Sequence, residues 1–220
     1  MVKEKIRSLI KGRKLLIKRR KEILPVAAKL FLRKGYGGTS MQELAQTLGM
    51  SKVGLYNYIG KKEDIIHLIV EYSGKHDYDI CKKILRYTQQ SSPIQSMINA
   101  ITVYITGVDE NQDVLNFINH VIASFPHEYR RKIFNDYTFI VDTFEKIIQK
   151  GSQDGEFKNV NANLIAHNMV LAGQAWAYRR WLLRKHYTLE EYIKEQTEIV
   201  LSLLKNESRT KQCSNMQYLS

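Results

Sequence analysis

Three prolines stand in 220 residues, at Pro25, Pro93 and Pro126, and this scarcity constrains the fold more than any other feature. Proline removes a backbone donor and breaks helix interiors, so a chain this poor in it leaves long runs free to coil. Those runs repeat their apolar residues at three and four positions, and none alternates convincingly as a strand does. The period predicts an all-α chain with helices over 14–34, 62–90, 93–106, 111–124, 127–151, 161–185 and 189–205. Two shorter helices are expected between the first and second of these. Ser91-Ser92-Pro93, Gly107-Val108-Asp109, Pro126 and the run Gly151 to Gly155 punctuate them. Pro25 either kinks the first helix or marks its start near Ile23. Residues 206–220 carry no period and read as a flexible tail. Residues 1–13 read as a basic arm or an extension of the first helix.

Charge divides the chain. Sixteen of its 34 lysines and arginines, but only three of its 22 acidic residues (Glu4, Glu22, Glu43), lie within residues 1–62. That segment carries +13 of a total of +12, so the remainder is nearly neutral. A basic module joined to a neutral one points to a polyanionic partner for the first; a solubilising basic face is the plainer reading. The expected domains are 1–62 and 63–205, ahead of the tail. Cys81 and Cys213 are far apart and lack short-spaced partners, which fits a reducing compartment. No apolar run reaches the roughly 18 residues of a membrane span, and no signal peptide is apparent, so a cytoplasmic location is expected. His67, His76, His120, His127, His167 and His186 are scattered. Without a phosphate loop, nucleophile elbow or paired carboxylates, neither catalysis, a metal nor a cofactor is expected.

Within the basic segment, Ser40 and Glu43 have the spacing of a capping box at the start of one short helix. Gly49 closes that helix, Ser51 caps the next, and Gly60 ends it. Ala45, Gly49 and Leu55 stand four and six residues apart, as close approach, a left-handed turn and an inward aliphatic residue require in a helix-turn-helix. Leu55 then joins Leu44 and Leu48 inside, while Lys52, Val53, Gly54, Tyr56 and Asn57 face outward. Gly54 lets the backbone enter a major groove, and Lys52 reaches a guanine edge or a phosphate. Tyr56 and Tyr58 offer hydroxyls to phosphates, although Tyr58 also suits a core. Thr39, Ser40, Ser51 and Lys62 sit at helix starts, where phosphates bind.

Residues 23–70, ILPVAAKLFLRKGYGGTSMQELAQTLGMSKVGLYNYIGKKEDIIHLIV, resemble the DNA-binding domain of the TetR family. The likeness runs through Ala27, Ala28 and Phe31, then Lys34-Gly35-Tyr36 and Thr39-Ser40-Met41. It continues through Leu44-Ala45, Gly49-Met50-Ser51-Lys52, Leu55-Tyr56, Tyr58 and Lys61-Lys62-Glu63. It implies that Thr39, Lys52, Val53, Gly54, Tyr56, Asn57, Tyr58 and Lys62 fall at DNA-contacting positions. The family usually has glycine where Val53 stands, and a hydroxyl residue or alanine where Gly54 stands. It usually has phenylalanine at the place of Ile59, and serine or asparagine at that of Gly60. No operator sequence is therefore carried over.

The resemblance implies a ligand-binding, dimerising second half. Leu164, Leu171, Ala175, Tyr178 and Leu182 share one face, with Ala172 and Gly173 permitting close approach. Tyr192, Ile199 and Leu203 share another. Two such stripes fit an isologous four-helix interface in a homodimer, or simply intrachain core. A two-fold dimer implies a palindromic double-stranded operator. The middle helices hold Tyr104, Phe117, Phe125, Phe134, Tyr137, Phe139 and Phe144, which suit the lining of a large apolar ligand or plain core; Tyr104, Phe117 and Phe139, with His120 and Asn168, are the candidate effector-lining residues. Trp176 and Arg180, one turn apart with Arg179 beside them, pair an indole with guanidinium groups suited to an anion. The pattern from Pro126 to Trp181, with Gly151, Gly155, Glu156, Phe157 and Trp176, resembles the sensors of TetR repressors of fatty-acid and sterol catabolism. That implies an acyl-CoA or fatty-acid effector. A multidrug-efflux repressor and an architectural DNA binder without effector remain the alternatives.

Overall fold

The computed structural model describes residues 12–89 and 91–206. Most of the basic arm, Cys213 and the expected tail from 207 lie outside the described residues. Among the described residues ten α-helices follow one another: α1 (Arg13–Lys34), α2 (Met41–Thr47), α3 (Lys52–Tyr56), α4 (Lys62–Thr88), α5 (Pro93–Glu110), α6 (Gln112–Val121), α7 (His127–Gln153), α8 (Ala162–Tyr178), α9 (Arg180–Leu183) and α10 (Leu189–Leu204). A 3₁₀ turn, Ile122–Ser124, follows α6, so the helix expected over 111–124 ends early. Among the described residues no helix is long and apolar enough to cross a membrane.

The chain forms two compact units. The first takes residues up to His76 and returns for Asn111–Phe134; the second holds Asp77–Glu110 and the chain from Asn135 onward. The first unit thus extends past residue 62 and includes α6.

In the first unit, α1 runs unbroken through Pro25. The proline leaves the Lys21 carbonyl without its helical donor, but Lys21 is exposed and water is at hand. Ile23, Leu24, Ala27, Ala28 and Phe31 bury one face of α1 against α2 and α6. Phe31 lies 5.5 Å from Phe117 of α6 between ring centroids, and Phe117 meets Phe125 at 6.4 Å. Each such side chain taken from water contributes about 1.5–3 kcal/mol.

In the second unit α5 packs on α8 and α10. The Gly107-Val108-Asp109 punctuation expected after residue 106 lies inside α5 instead. The apolar row Ala100, Ile101, Tyr104, Ile105 and Val108 stays buried through it, which outweighs the roughly 1 kcal/mol that a helical glycine costs. The helix expected over 161–185 divides at Arg179, whose φ of −112° and ψ of 23° end α8. Gly173 carries a close approach, but within the chain: a Cβ there would strike the Tyr104 ring.

Candidate nucleic-acid interface and effector cleft

The two short helices of the first unit rest on caps, because neither is long enough to be stable alone. Ser40 Oγ accepts from the Glu43 amide at 3.1 Å, and Ser51 Oγ from the Gly54 amide at 2.9 Å. Glu43 is also ion-paired with Lys34, which holds its carboxyl below the ordinary carboxylate range. Gly49 takes a φ of +66° between the helices, where a side chain would be strained. Ala45 and Leu55 are fully buried, so α3 turns its opposite face outward.

That face carries Lys52, Val53 and Tyr56 exposed, with Gly54, Asn57 and Tyr58 half-buried. Val53, at 74% exposure, is the most exposed large apolar side chain among the described residues. Its methyl-bearing tip is chemically suited to contact a thymine methyl. The end of α3 is held by Arg20 of α1, whose Nε donates to the Tyr58 carbonyl at 2.9 Å. Burial pulls that guanidinium below its ordinary pKa, with Asp64 opposing, and its Nη2 is buried without a partner. Sequence patterns gave no sign of this contact across 38 positions.

Two expected phosphate clamps are instead turned inward. Thr39 is buried and donates its hydroxyl to the Gly35 carbonyl at 2.9 Å. Lys62 donates to the Tyr36 carbonyl and lies 4.3 Å above the Tyr36 ring centroid. Both fasten the glycine-rich link between α1 and α2.

The candidate effector residues are not brought together. Phe117 is in the core of the first unit, and His120 is exposed there. Tyr104, Phe139, Asn168, Trp176, Arg179 and Arg180 belong to the second unit, but Asn168 and Arg179 are exposed and Phe139 stacks on Tyr78 at 5.9 Å. The break at Arg179 separates Trp176 from Arg180, so they no longer share a helical face. Trp176 is 2% exposed and lies 5.0 Å from Tyr192; its Nε1 donates to Asp109 at 2.8 Å. The guanidinium that covers it is Arg184, 5.2 Å from the indole and 2.5 Å from Asp109. The Gly151-to-Phe157 motif is likewise structural. The Phe157 ring occupies the place of a Gly151 Cβ, Gly155 has a φ of +73°, and Glu156 accepts from the Ile94 amide at 3.3 Å.

What the second unit does offer is a narrow apolar cleft with free space of about 10 Å³, lined by Ile101, Tyr104, Ile105, Phe144, Met169, Ala172, Gln196 and Val200. Of these, Tyr104 and Phe144 are among the aromatics that the sequence offers as a lining; the rest have the helical spacing of any core residue. Tyr104 donates to the Val170 carbonyl at 3.2 Å. Tyr137 and Tyr178 are bonded to each other through their hydroxyls, and burial pushes Tyr178 up to about 12 and Tyr137 well above its ordinary value.

The expected dimer stripes are split by burial. Leu164, Leu171, Leu182, Ile199 and Leu203 are exposed, Leu171 at 60%. Tyr192 is buried against Trp176, and Tyr178 is bonded inward, so both serve the intrachain core. Ala175 is half-buried.

An all-α chain with a capped helix-turn-helix ahead of a larger helical unit is the build of a ligand-responsive transcription regulator. Residues 23–69 match the family profile described as bacterial regulatory proteins, tetR family, and residues 90–204 match the tetracyclin repressor-like C-terminal domain. The chain belongs to the TetR family, whose members are DNA-binding transcriptional regulators rather than enzymes. It is 27% identical over 193 residues to the HTH-type transcriptional regulator HbdR of Aromatoleum sp. (strain CIB), covering 87% of this chain and 83% of that protein. The TetR family regulator PfmR from Thermus thermophilus superposes with a TM-score of 0.68 at 27% identity, over 84% of this chain and 99% of that one. AibR, solved in complex with isovaleryl coenzyme A and operator DNA, gives 0.64 at 26% identity, over 82% and 97%.

Proposed function

We propose that this protein is a repressor that binds a palindromic operator as a homodimer and is released by an acyl-CoA or fatty-acyl effector. The outward face of α3 carries the reading: Lys52, Val53 and Tyr56 are exposed on a helix whose inner side is anchored by Leu55. Lys52 supplies charge to a base edge or phosphate, Val53 a methyl contact, and Tyr56 a hydroxyl. A second copy seated on Leu164, Leu171, Leu182, Ile199 and Leu203 removes an apolar patch from water and sets two α3 helices about one DNA turn, roughly 34 Å, apart.

The effector reading is supported by the apolar cleft and by the isovaleryl coenzyme A bound to AibR, a relative at 26% identity. With free space of about 10 Å³, enough for about one water, the cleft is closed as it stands, and an acyl chain must part the helices that line it. No carboxylate lines it, so it lacks the counter-charge that a cationic drug needs.

The test is a gel-shift titration on operator-bearing DNA. Lys52→Ala with Tyr56→Phe weakens binding at least tenfold and leaves the dimer intact; unchanged affinity refutes the assigned recognition helix. Acyl-CoAs of increasing chain length are then added to the wild-type complex. Release by at least one chain length is expected, and no release at saturation with any chain length rejects the effector.

A further inference from the structure

We propose that the exposed N-terminal half of α1 is a second DNA contact, in which Lys14, Lys18 and Lys21 seat the phosphate backbone beside the segment read by α3. This rests on the reading of the chain as a DNA-binding regulator. Helix α1 begins ten residues before its first buried residue, Ile23. Those ten positions carry Arg13, Lys14, Lys18, Arg19, Arg20 and Lys21 against a single acid, Glu22. Glu22 is already paired with Arg19 at 2.8 Å. Arg20 is committed to the Tyr58 carbonyl. The three lysines are exposed, and among the described residues none has an acidic partner.

Their spacing of four and three residues lines them up on one helix face. Like charges so placed repel, and the helix buries little there to offset the repulsion. A polyanion laid along the stripe reverses the sign of that interaction. Lys14 and Lys21 are seven residues apart, about 10 Å along the axis. Phosphates of one DNA strand advance about 3.4 Å along the duplex, so the stripe spans about three of them. The stripe lies in the same unit as α3, on a different face of α1 from the one that meets it. Arg20, adjacent to Lys21, holds the chain two residues beyond the end of α3. Charge complementarity, in the unit that carries the helix-turn-helix, selects DNA.

The experiment compares three full-length chains: wild type, Lys14→Gln/Lys18→Gln/Lys21→Gln, and a control of equal charge loss, Lys82→Gln/Lys83→Gln/Lys146→Gln. Glutamine keeps helix propensity, and circular dichroism checks that helicity is retained. The probe is a duplex recovered by the wild type from a random-sequence pool. Binding is followed against salt, where each lost phosphate contact lowers the log–log slope by about 0.9. The stripe variant is expected to lose about 5 from the slope for six lysines of two protomers, and to bind at least 100-fold more weakly near 0.15 M salt. Its hydroxyl-radical footprint shortens by about three phosphates at each outer flank, and the control matches the wild type. A slope and footprint equal to the control overturn the stripe and leave the α3 reading standing. A wild type that recovers no duplex overturns both. If the variant keeps its slope yet loses wild-type binding to phosphatidylserine vesicles, the stripe serves a membrane surface and the proposal fails.

Discussion

The two units hold themselves together by different means. In the first, α2 has seven residues and α3 only five, and side chains tie down backbone groups: Ser40, Ser51, Thr39, Lys62 and Arg20 each bond to the main chain. In the second, α5 and α8 have 18 and 17 residues and present long buried faces, joined by a side-chain network that sets Asp109 between Trp176 and Arg184. Short helices bury too little to hold themselves by packing, so their ends must be satisfied one group at a time. Long helices are held by area.

The largest separation between the units is expected at Leu55. Leu55→Ala leaves a cavity where α3 meets its core, costing about 2–5 kcal/mol; urea denaturation should show the loss, with operator binding abolished. An unchanged unfolding midpoint would mean that α3 is not anchored through Leu55. Next is Asp109→Ala, which strands the buried Trp176 N–H at about 1–3 kcal/mol. Its signature is a shifted tryptophan emission with operator affinity retained in the absence of effector. Ser51→Ala, which removes one cap, costs about 1 kcal/mol and weakens operator binding more than it lowers the thermal midpoint. Equal effects on both would show that the cap serves stability alone.

The smallest effect at neutral pH is the alkaline one, and it belongs to the second unit. Burial raises the Cys81 thiol from 9.0 to about 11, and Tyr178 from 10.0 to about 12. Because the folded state holds these protons longer, the stabilisation is complete below pH 9. It is lost as pH rises through 9 to 11 for Cys81 and 10 to 12 for Tyr178. Urea midpoints at about pH 7 and about pH 10 should differ, and Cys81→Ala should narrow the difference.

The same contrast explains what the residues announced in advance. The helix-turn-helix was legible because each of its signals is local: Ser40 to Glu43, Gly49 at the turn, Leu55 six residues on. Most of the cleft was not, because Ile101, Met169 and Val200 have a spacing shared by every buried helix face. Arg179 carries no breaker chemistry, so the division of α8 from α9 had no local sign, and the pairing of Trp176 with Arg180 failed with it. Tyr192 looked like part of an outer stripe because one period describes both sides of a helix packed in its own chain and exposed beyond it. Arg20 was invisible because its partner is a backbone carbonyl 38 residues away.

The chain path between the units has a consequence for heredity and for design. The first unit is written in two separate stretches, the second ending at Phe134. A reader domain grafted onto another sensor by a single crossover after the start of α4 would leave α6 behind, and with it the cover for Ile23, Ala27 and Phe31. Recombination that transfers the first unit of this chain intact must therefore carry residues 111–134 along with the head. On the proposed reading of α3, new operators are reached more easily by point changes at Lys52, Val53 or Tyr56 than by swapping modules.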